Sequence, residues 1–202
     1  MLVHIPRHSH SRHHTLLRAV YRQRKVAFID RMNWPLTPVG DEERDDYDAH
    51  ADYLILLDDT GDVAGSARFL PTTGPHLMAD HFGHLCADGA PRGAHIWELS
   101  RLCYNPFDQS GNAAARIRQR LALAMLEVAI VHGIEQLVFV THMAVFTRVL
   151  GYGWNIRPLG PPTGTRAVDI GAFSIDVDAA SLRRMRANFG IYQPIVALSA
   201  AA

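Results

Sequence analysis

The sequence predicts an α/β fold, a mixed and largely central β-sheet covered by helices. Three observations carry this: an apolar hairpin over 53–70, a strand–helix–strand run over 96–141, and helical patterns at both ends of the chain. With 202 residues, 48% of them hydrophobic, the chain has the length and composition of a single domain, 1–202, with a sizeable core.

Residues 1–10 read as polar, partly frayed chain. Five of the twelve histidines (His4, His8, His10, His13 and His14) crowd this start. A metal site and a solvated terminus are the two readings, and the terminus is favoured. From about Ser11 to Ile29 a helix follows, with Leu17, Tyr21, Arg24 and Phe28 on one stripe. Asn33, Pro35, Pro38 and Gly40 break it, and a carboxylate-rich connection runs from Asp41 to Asp52. Tyr53–Leu57 and Val63–Leu70 are two strands joined by the Asp/Gly turn at 58–62. After Pro71–Pro75, a short helix is expected near Leu77–Phe82.

Ile96–Tyr104 reads as a strand, Asn105–Asn112 as a loop and Ala113–His132 as an Ala- and Leu-rich helix closed by Gly133. Leu137–Thr141 is an apolar strand, so a parallel pair with a right-handed crossover is expected. A short helix at 144–150, strands at Trp154–Leu159 and Ala167–Ile175, and a helix at Ala179–Phe189 complete the chain.

Composition excludes several classes. Twenty Lys+Arg against twenty Asp+Glu leave no net charge, which argues against a surface given over to nucleic acid. Two cysteines without CxxC spacing exclude a disulfide scaffold and a Cys-rich zinc module. No run of about 18 apolar residues exists, so no membrane insertion is expected. The start lacks an apolar signal core, so a cytoplasmic location is expected. No phosphate-loop or dinucleotide glycine motif is present.

Several charges break the core patterns. Glu98, Ser100 and Arg101 interrupt an apolar strand whose sides alternate as Glu98–Ser100–Leu102 against Leu99–Arg101–Cys103. Arg24 interrupts a helical stripe, while Arg68 sits out of phase on its strand and reads equally as solvent-facing. Unpartnered charges in a core are costly, and one shared polar pocket accounts for them together. Glu43, Asp45 and Asp48 around Tyr47 read either as a solvated acidic loop or as a site for a cationic ligand. Phe28 and Trp34 read as core, or as aromatic walls for a flat or sulfonium-bearing ligand. Arg116 and Arg120 share one face of the long helix, as a solvated face or as a docking patch for an acidic donor. His81 and His84 read as surface residues, and Cys103 as a small buried hydrophobe.

These residues stand in an order that resembles the LuxI-type acyl-homoserine-lactone synthases, the autoinducer synthases. The resemblance rests on Arg24 and Phe28, Trp34, Glu43-Arg-Asp45-Asp-Tyr47-Asp48, Arg68-Phe-Leu-Pro-Thr-Thr-Gly-Pro75, Phe82 and Trp97-Glu98-Leu99-Ser100-Arg101. Phe69 for the usual Leu, Leu102 where an aromatic is frequent, and Pro35 after Trp34 are departures; none removes a charged position.

The resemblance implies a GNAT-like three-layer α/β/α sandwich. It also implies a quorum-sensing acyltransferase that joins S-adenosylmethionine to a fatty-acyl thioester and releases methylthioadenosine. S-adenosylmethionine is then a substrate, and neither a cofactor nor a metal is expected. Carried onto this chain, the resemblance assigns Glu98, Ser100 and Arg101 to catalysis; Glu98 reads as the base, or as one half of a structural salt bridge to an arginine. It assigns Arg24, Phe28, Trp34, Asp45, Asp48, Arg68 and Phe82 to S-adenosylmethionine. The acyl tail needs an apolar channel, and Leu99, Met125, Phe139, Val140 and Met143 read as its lining or as plain core. Thr141 stands at a position linked in the family to 3-oxo-acyl preference. Arg116 and Arg120 would dock the donor, either acyl carrier protein or coenzyme A. A GNAT N-acyltransferase acting on another amine is the alternative, but the 105–111 link carries a single Gly where such an enzyme needs a Gly-rich pyrophosphate loop. A non-enzymatic binding domain would not need Glu98, Arg101, Arg24 and Arg68 together.

Overall fold

A computed structural model of the chain describes residues 1–104, 111–164, 166 and 168–196. Most of the loop expected at 105–112, Ala167 of an expected strand, and the Ala-rich tail lie outside these residues. Among these residues, seven strands form one sheet, in the order Leu2–Ile5, Asp52–Leu57, Val63–Pro71, Ile96–Tyr104, Gln136–His142, Ile170–Asp176 and Asn155–Pro158. The chain divides into two compact units, one built on Met1–Phe69 with Arg101–Ala124, the other on Leu70–Ser100 with Met125–Pro194.

In the first unit, β1 (Leu2–Ile5) pairs antiparallel with β2 (Asp52–Leu57), Leu2 opposite Leu56 and Ile5 opposite Tyr53. The expected frayed start is therefore an edge strand. Its N-terminal ammonium donates to Leu57 O at 2.9 Å, and Leu57 N–H donates to Met1 O at 2.7 Å. A 3-10 turn (Arg7–His13) leads into α1 (His14–Arg24), which continues as a π-helical turn through Lys25–Arg31. The single helix expected over 11–29 is thus three helical forms in succession. The widened turn holds Phe28 and Ala27 in the core, and wide turns of this kind concentrate at functional sites.

β3 (Val63–Pro71) pairs antiparallel with β2, placing Tyr53 opposite Arg68. A Cβ on Gly65 would lie 2.8 Å from Leu121 Cδ1 and 3.0 Å from Cys103 O. Helix and strand approach there only because the residue has no side chain. Leu121 belongs to α3 (Gly111–Val131), which, like β3 and β4 (Ile96–Tyr104), passes through both units.

In the second unit, β4 runs parallel to β5 (Gln136–His142), with α3 as the crossover, as the sequence predicts. β5 pairs antiparallel with β7 (Ile170–Asp176), which pairs with β6 (Asn155–Pro158). α2 (Leu77–His81), α4 (Met143–Leu150) and α5 (Ala179–Phe189) complete the unit. Met78, Leu85, Cys86, Val138 and Ala172 form a dry core. Among the described residues, no helix is long and apolar enough to cross a membrane.

Candidate active site

The first unit buries a closed ring of six alternating charges. Arg24 Nε donates to Glu43 Oε2 at 2.5 Å, and Arg101 Nη2 donates to Glu43 Oε1 at 3.0 Å. Arg101 Nη2 also donates to Asp45 Oδ2 at 2.9 Å, and Arg68 Nη1 to Asp45 Oδ1 at 2.5 Å. Arg68 Nη1 reaches Asp48 Oδ1 at 2.5 Å, and Arg24 Nη1 closes the ring on the same oxygen at 2.8 Å. Tyr53 Oη donates to Asp48 Oδ1 at 2.5 Å.

Each element has a part in placing these groups. α1 ends on Arg24, and the register of the hairpin sets Arg68 beside Tyr53. Asp45 caps the 3-10 turn at Asp46–His50: its side chain accepts from Tyr47 N–H, and Asp48 accepts from Asp45 N–H. The acidic loop, which read equally as solvated, is therefore ordered by its own carboxylates. Glu43 and Asp48 are 2% and 5% exposed. Arg68, which also read as solvent-facing, is completely buried because two carboxylates, Asp45 and Asp48, accompany it.

Arg101 adopts φ 50°, a left-handed conformation rare outside glycine and costing roughly 1–3 kcal/mol. The even alternation expected along 98–103 is broken at this residue. Its guanidinium meets two carboxylates and lies 5.9 Å from the Phe28 ring centroid.

Burial alone would raise the Asp48 and Glu43 carboxyls. The arginines beside them (Arg24 and Arg68 for Asp48, Arg24 and Arg101 for Glu43) overcome this and hold both below the usual range. Arg24 and Arg68 are raised in turn: burial opposes their charge and Asp48 restores it. Burial pushes the Tyr53 phenol well up, helped by Asp48, so it remains a donor.

Phe28 and Trp34 stack on one another, centroids 4.7 Å apart and 16° from parallel. They form one continuous aromatic surface rather than two separate walls. Burial pushes the Cys103 thiol up to about 12, in keeping with a small apolar residue. A cleft of about 460 Å³, whose lining includes Tyr21, Arg44, Asp45 and Asp48, opens on the acidic side of the ring. Arg116 is exposed and Arg120 half-buried on α3; among the described residues, neither pairs with a carboxylate.

The second unit holds the remaining residues. Glu98 is 2% exposed, and its Oε2 accepts from Met78 N–H at 2.7 Å. Ser100 is half-buried on β4. Phe82 packs on the cluster of Met78 and Leu85. Leu99, Met125 and Phe139 are buried, while Thr141 and Met143 are half-buried. β4 and β5 are in register only from Ile96↔Gln136 to Glu98↔Val138, although both strands continue. Among the described residues, the parallel register of the two strands ends at Glu98↔Val138.

The motif reading did not include Tyr53 or the backbone N–H of Met78, and it gave Glu43 no role beyond membership of the acidic cluster. Tyr53 carries a legible signal, a hydroxyl in an otherwise apolar strand. Met78 carries none, since a main-chain donor leaves no trace in residue type. Among the described residues, no group of three or more His, Cys, Asp or Glu side chains is placed to hold a metal ion.

The family model described as autoinducer synthase matches residues 8–185, which include every member of the ring. The chain belongs to the autoinducer synthase family. It is 33% identical over 174 residues to the acyl-homoserine-lactone synthase of Ralstonia solanacearum, covering 81% of this chain and 83% of that one. Among solved structures, it resembles MesI, described as a CoA-dependent acyl-homoserine lactone synthase, with a TM-score of 0.88 and 27% identity over 98% of this chain and 100% of that one. It also resembles BjaI, a CoA-dependent synthase solved with SAM and isopentyl-CoA, with a TM-score of 0.85 and 26% identity over 96% and 90% of the two chains. A putative N-acetyltransferase from Lactobacillus plantarum shares the fold alone, with a TM-score of 0.54 and 13% identity over 88% and 98% of the two chains. This autoinducer synthase therefore has a GNAT-like α/β fold and is an acyltransferase of the acyl-homoserine-lactone synthase type.

Proposed function

We propose that the enzyme acylates the amine of S-adenosylmethionine from an acyl-coenzyme A thioester and then closes the lactone, with no cofactor. The observation that carries the binding part of this reading is the six-charge ring. It is neutral as a whole, and its most accessible side chains are Asp45, 21% exposed, and Arg101, 10% exposed. Arg24 and Arg68 are fully buried. The inner members hold the outer two, which are left to exchange a partner for substrate. Asp45 takes a cationic group of the methionyl portion and Arg101 its carboxylate. The aromatic surface of Phe28 and Trp34 suits the sulfonium or adenine portion, the cleft beside Asp45 and Asp48 favours positive charge, and Phe82 serves as an apolar neighbour.

Glu98 accepts the proton that the substrate ammonium must lose before it can attack. It stands three residues before Arg101, at most about 10 Å along one strand. The amine nitrogen then bonds to the thioester carbonyl carbon, the C–S bond of the thioester breaks, and the leaving thiolate takes up the second amine proton. The substrate carboxylate next attacks the γ-carbon, and the C–S bond breaks to give neutral methylthioadenosine. Ser100 and backbone N–H groups of β4 are the donors proposed for the carbonyl oxygen. Leu99, Met125, Phe139, Thr141 and Met143 are proposed to line the acyl chain, and Arg116 with Arg120 to meet the anionic end of the donor. The likeness to two CoA-dependent synthases favours coenzyme A over acyl carrier protein.

The test is incubation with S-adenosylmethionine and matched coenzyme A and carrier-protein thioesters, with products read by mass spectrometry. Lactone and methylthioadenosine are expected in equal amounts from the coenzyme A donors. Glu98→Ala and Arg101→Ala should remove both products while leaving a folded protein; ordinary turnover in either folded variant removes that residue from the chemistry. Charge reversal at Arg116 and Arg120 should raise KM for the thioester and leave KM for S-adenosylmethionine unchanged.

A further inference from the structure

We propose that Phe146 and Phe173, seated over Gly171, form the end wall of the acyl-binding cleft and select short acyl groups over long straight chains. The inference rests on the acyltransferase reading above and names its donor class.

β5 is an interior strand with β7 on one side. On the other side its pairing to β4 ends at Val138. Leu137, Val138 and Phe139 are buried, whereas Val140, Thr141 and His142 are half-exposed. An interior strand becomes accessible only where its neighbour diverges, so the gap between the strands opens just past Glu98. An acyl chain whose carbonyl lies near Glu98 has this gap as its apolar route. Trp97 stands opposite Leu137, so Leu99 shares a face with Phe139 and Thr141.

That face is closed by aromatic rings. Phe139 is opposite Phe173 and Thr141 opposite Gly171. A Cβ on Gly171 would lie 2.8 Å from Phe173 Cζ, so the Phe173 ring leans along its strand into the space beside Thr141 that any other residue would fill. Phe146 of α4 stacks on this ring with centroids 4.1 Å apart and planes within 10°. Phe139 lies 5.6 Å from Phe173 on the other side. α4 contains no fully buried residue, so Phe146 is a half-buried ring held mainly by this stack. Removing it opens space at the far end of the face without taking apart the core.

The test measures kcat/KM for butanoyl, hexanoyl, octanoyl and dodecanoyl thioesters of coenzyme A and of acyl carrier protein, in the wild type, Phe146→Ala and Phe146→Leu. Thermal unfolding verifies each fold. The wild type is expected to favour butanoyl or hexanoyl over dodecanoyl by about tenfold or more. Phe146→Ala should shift the preference toward longer chains, with Phe146→Leu between, through KM for the thioester and not KM for S-adenosylmethionine. A wild type that prefers dodecanoyl overturns the wall, as does a folded Phe146→Ala with an unchanged chain-length profile. Lactone formation from any donor keeps the acyltransferase reading in either case. No lactone from any thioester overturns that reading and the wall with it.

Discussion

Tyr53 carries a single polar atom into a fully buried position and spends it on Asp48, at 2.5 Å. Arg24 Nη1 also reaches that oxygen, at 3.3 Å. The phenol therefore acts on the ring rather than on substrate. It holds the carboxylate that two arginines share, and so fixes Arg68 and, through Arg68, Asp45. Tyr53→Phe removes one hydrogen bond to a charged acceptor without changing shape. A stability loss of about 2 kcal/mol in urea titration is expected. KM for S-adenosylmethionine should rise several-fold with kcat less affected, because the ring member proposed to meet the substrate is Asp45. An equal fall in kcat with KM unchanged would place Tyr53 in the chemistry instead. Removing an arginine has a different effect: Arg24→Ala takes one of two arginine partners from each of two buried carboxylates, a change of the class that costs about 3–5 kcal/mol.

Elements set the directions in which these residues act. The π-helical turn after α1 brings Phe28 onto Trp34 and beneath Arg101, and the register of β4 with β5 ends at Glu98. Neither depends on residue type alone. The close approach of β3 to α3 does depend on one residue, Gly65. Gly65→Val would drive a side chain against Leu121 and the Cys103 carbonyl, and the latter, as backbone, yields little. The expected loss is about 1–3 kcal/mol, seen as a lower urea midpoint at unchanged slope. An unchanged midpoint would mean that the strand and helix separate at little cost.

At the scale of the whole molecule, the ring makes stability depend on acid in a defined direction. Glu43 and Asp48 lie below their unfolded values. Their ionised pairing therefore contributes fully above the unfolded carboxyl range of about pH 4 and is lost as pH falls below it toward the folded values. Tm should hold nearly level from pH 7 to about pH 5 and drop steeply below pH 4. A Tm that rises on acidification would show that the ionised ring destabilises the fold. The neutral sum of 20 against 20 hid this segregation of charge into one buried ring.

The sequence by itself determined the hairpin, the strand–helix–strand unit and the family, because periodicity and ordered motifs are local and survive without coordinates. It also singled out Arg24, Glu98 and Arg101 as charges out of place, and left Asp45, Asp48 and Arg68 open between a site and a solvated face. Only the tertiary structure decided that the arginines and aspartates among these neutralise one another. Ion pairing between residues 19 to 58 positions apart is set by register and helix ends, not by spacing along the chain. It also decided that the His-rich start is an edge strand, since the partner of β1 lies some fifty residues on. The Glu98 clamp and the Phe173 ring over Gly171 escaped the sequence for the same physical reason. One is a backbone donor and the other an empty volume, and neither has a letter of its own.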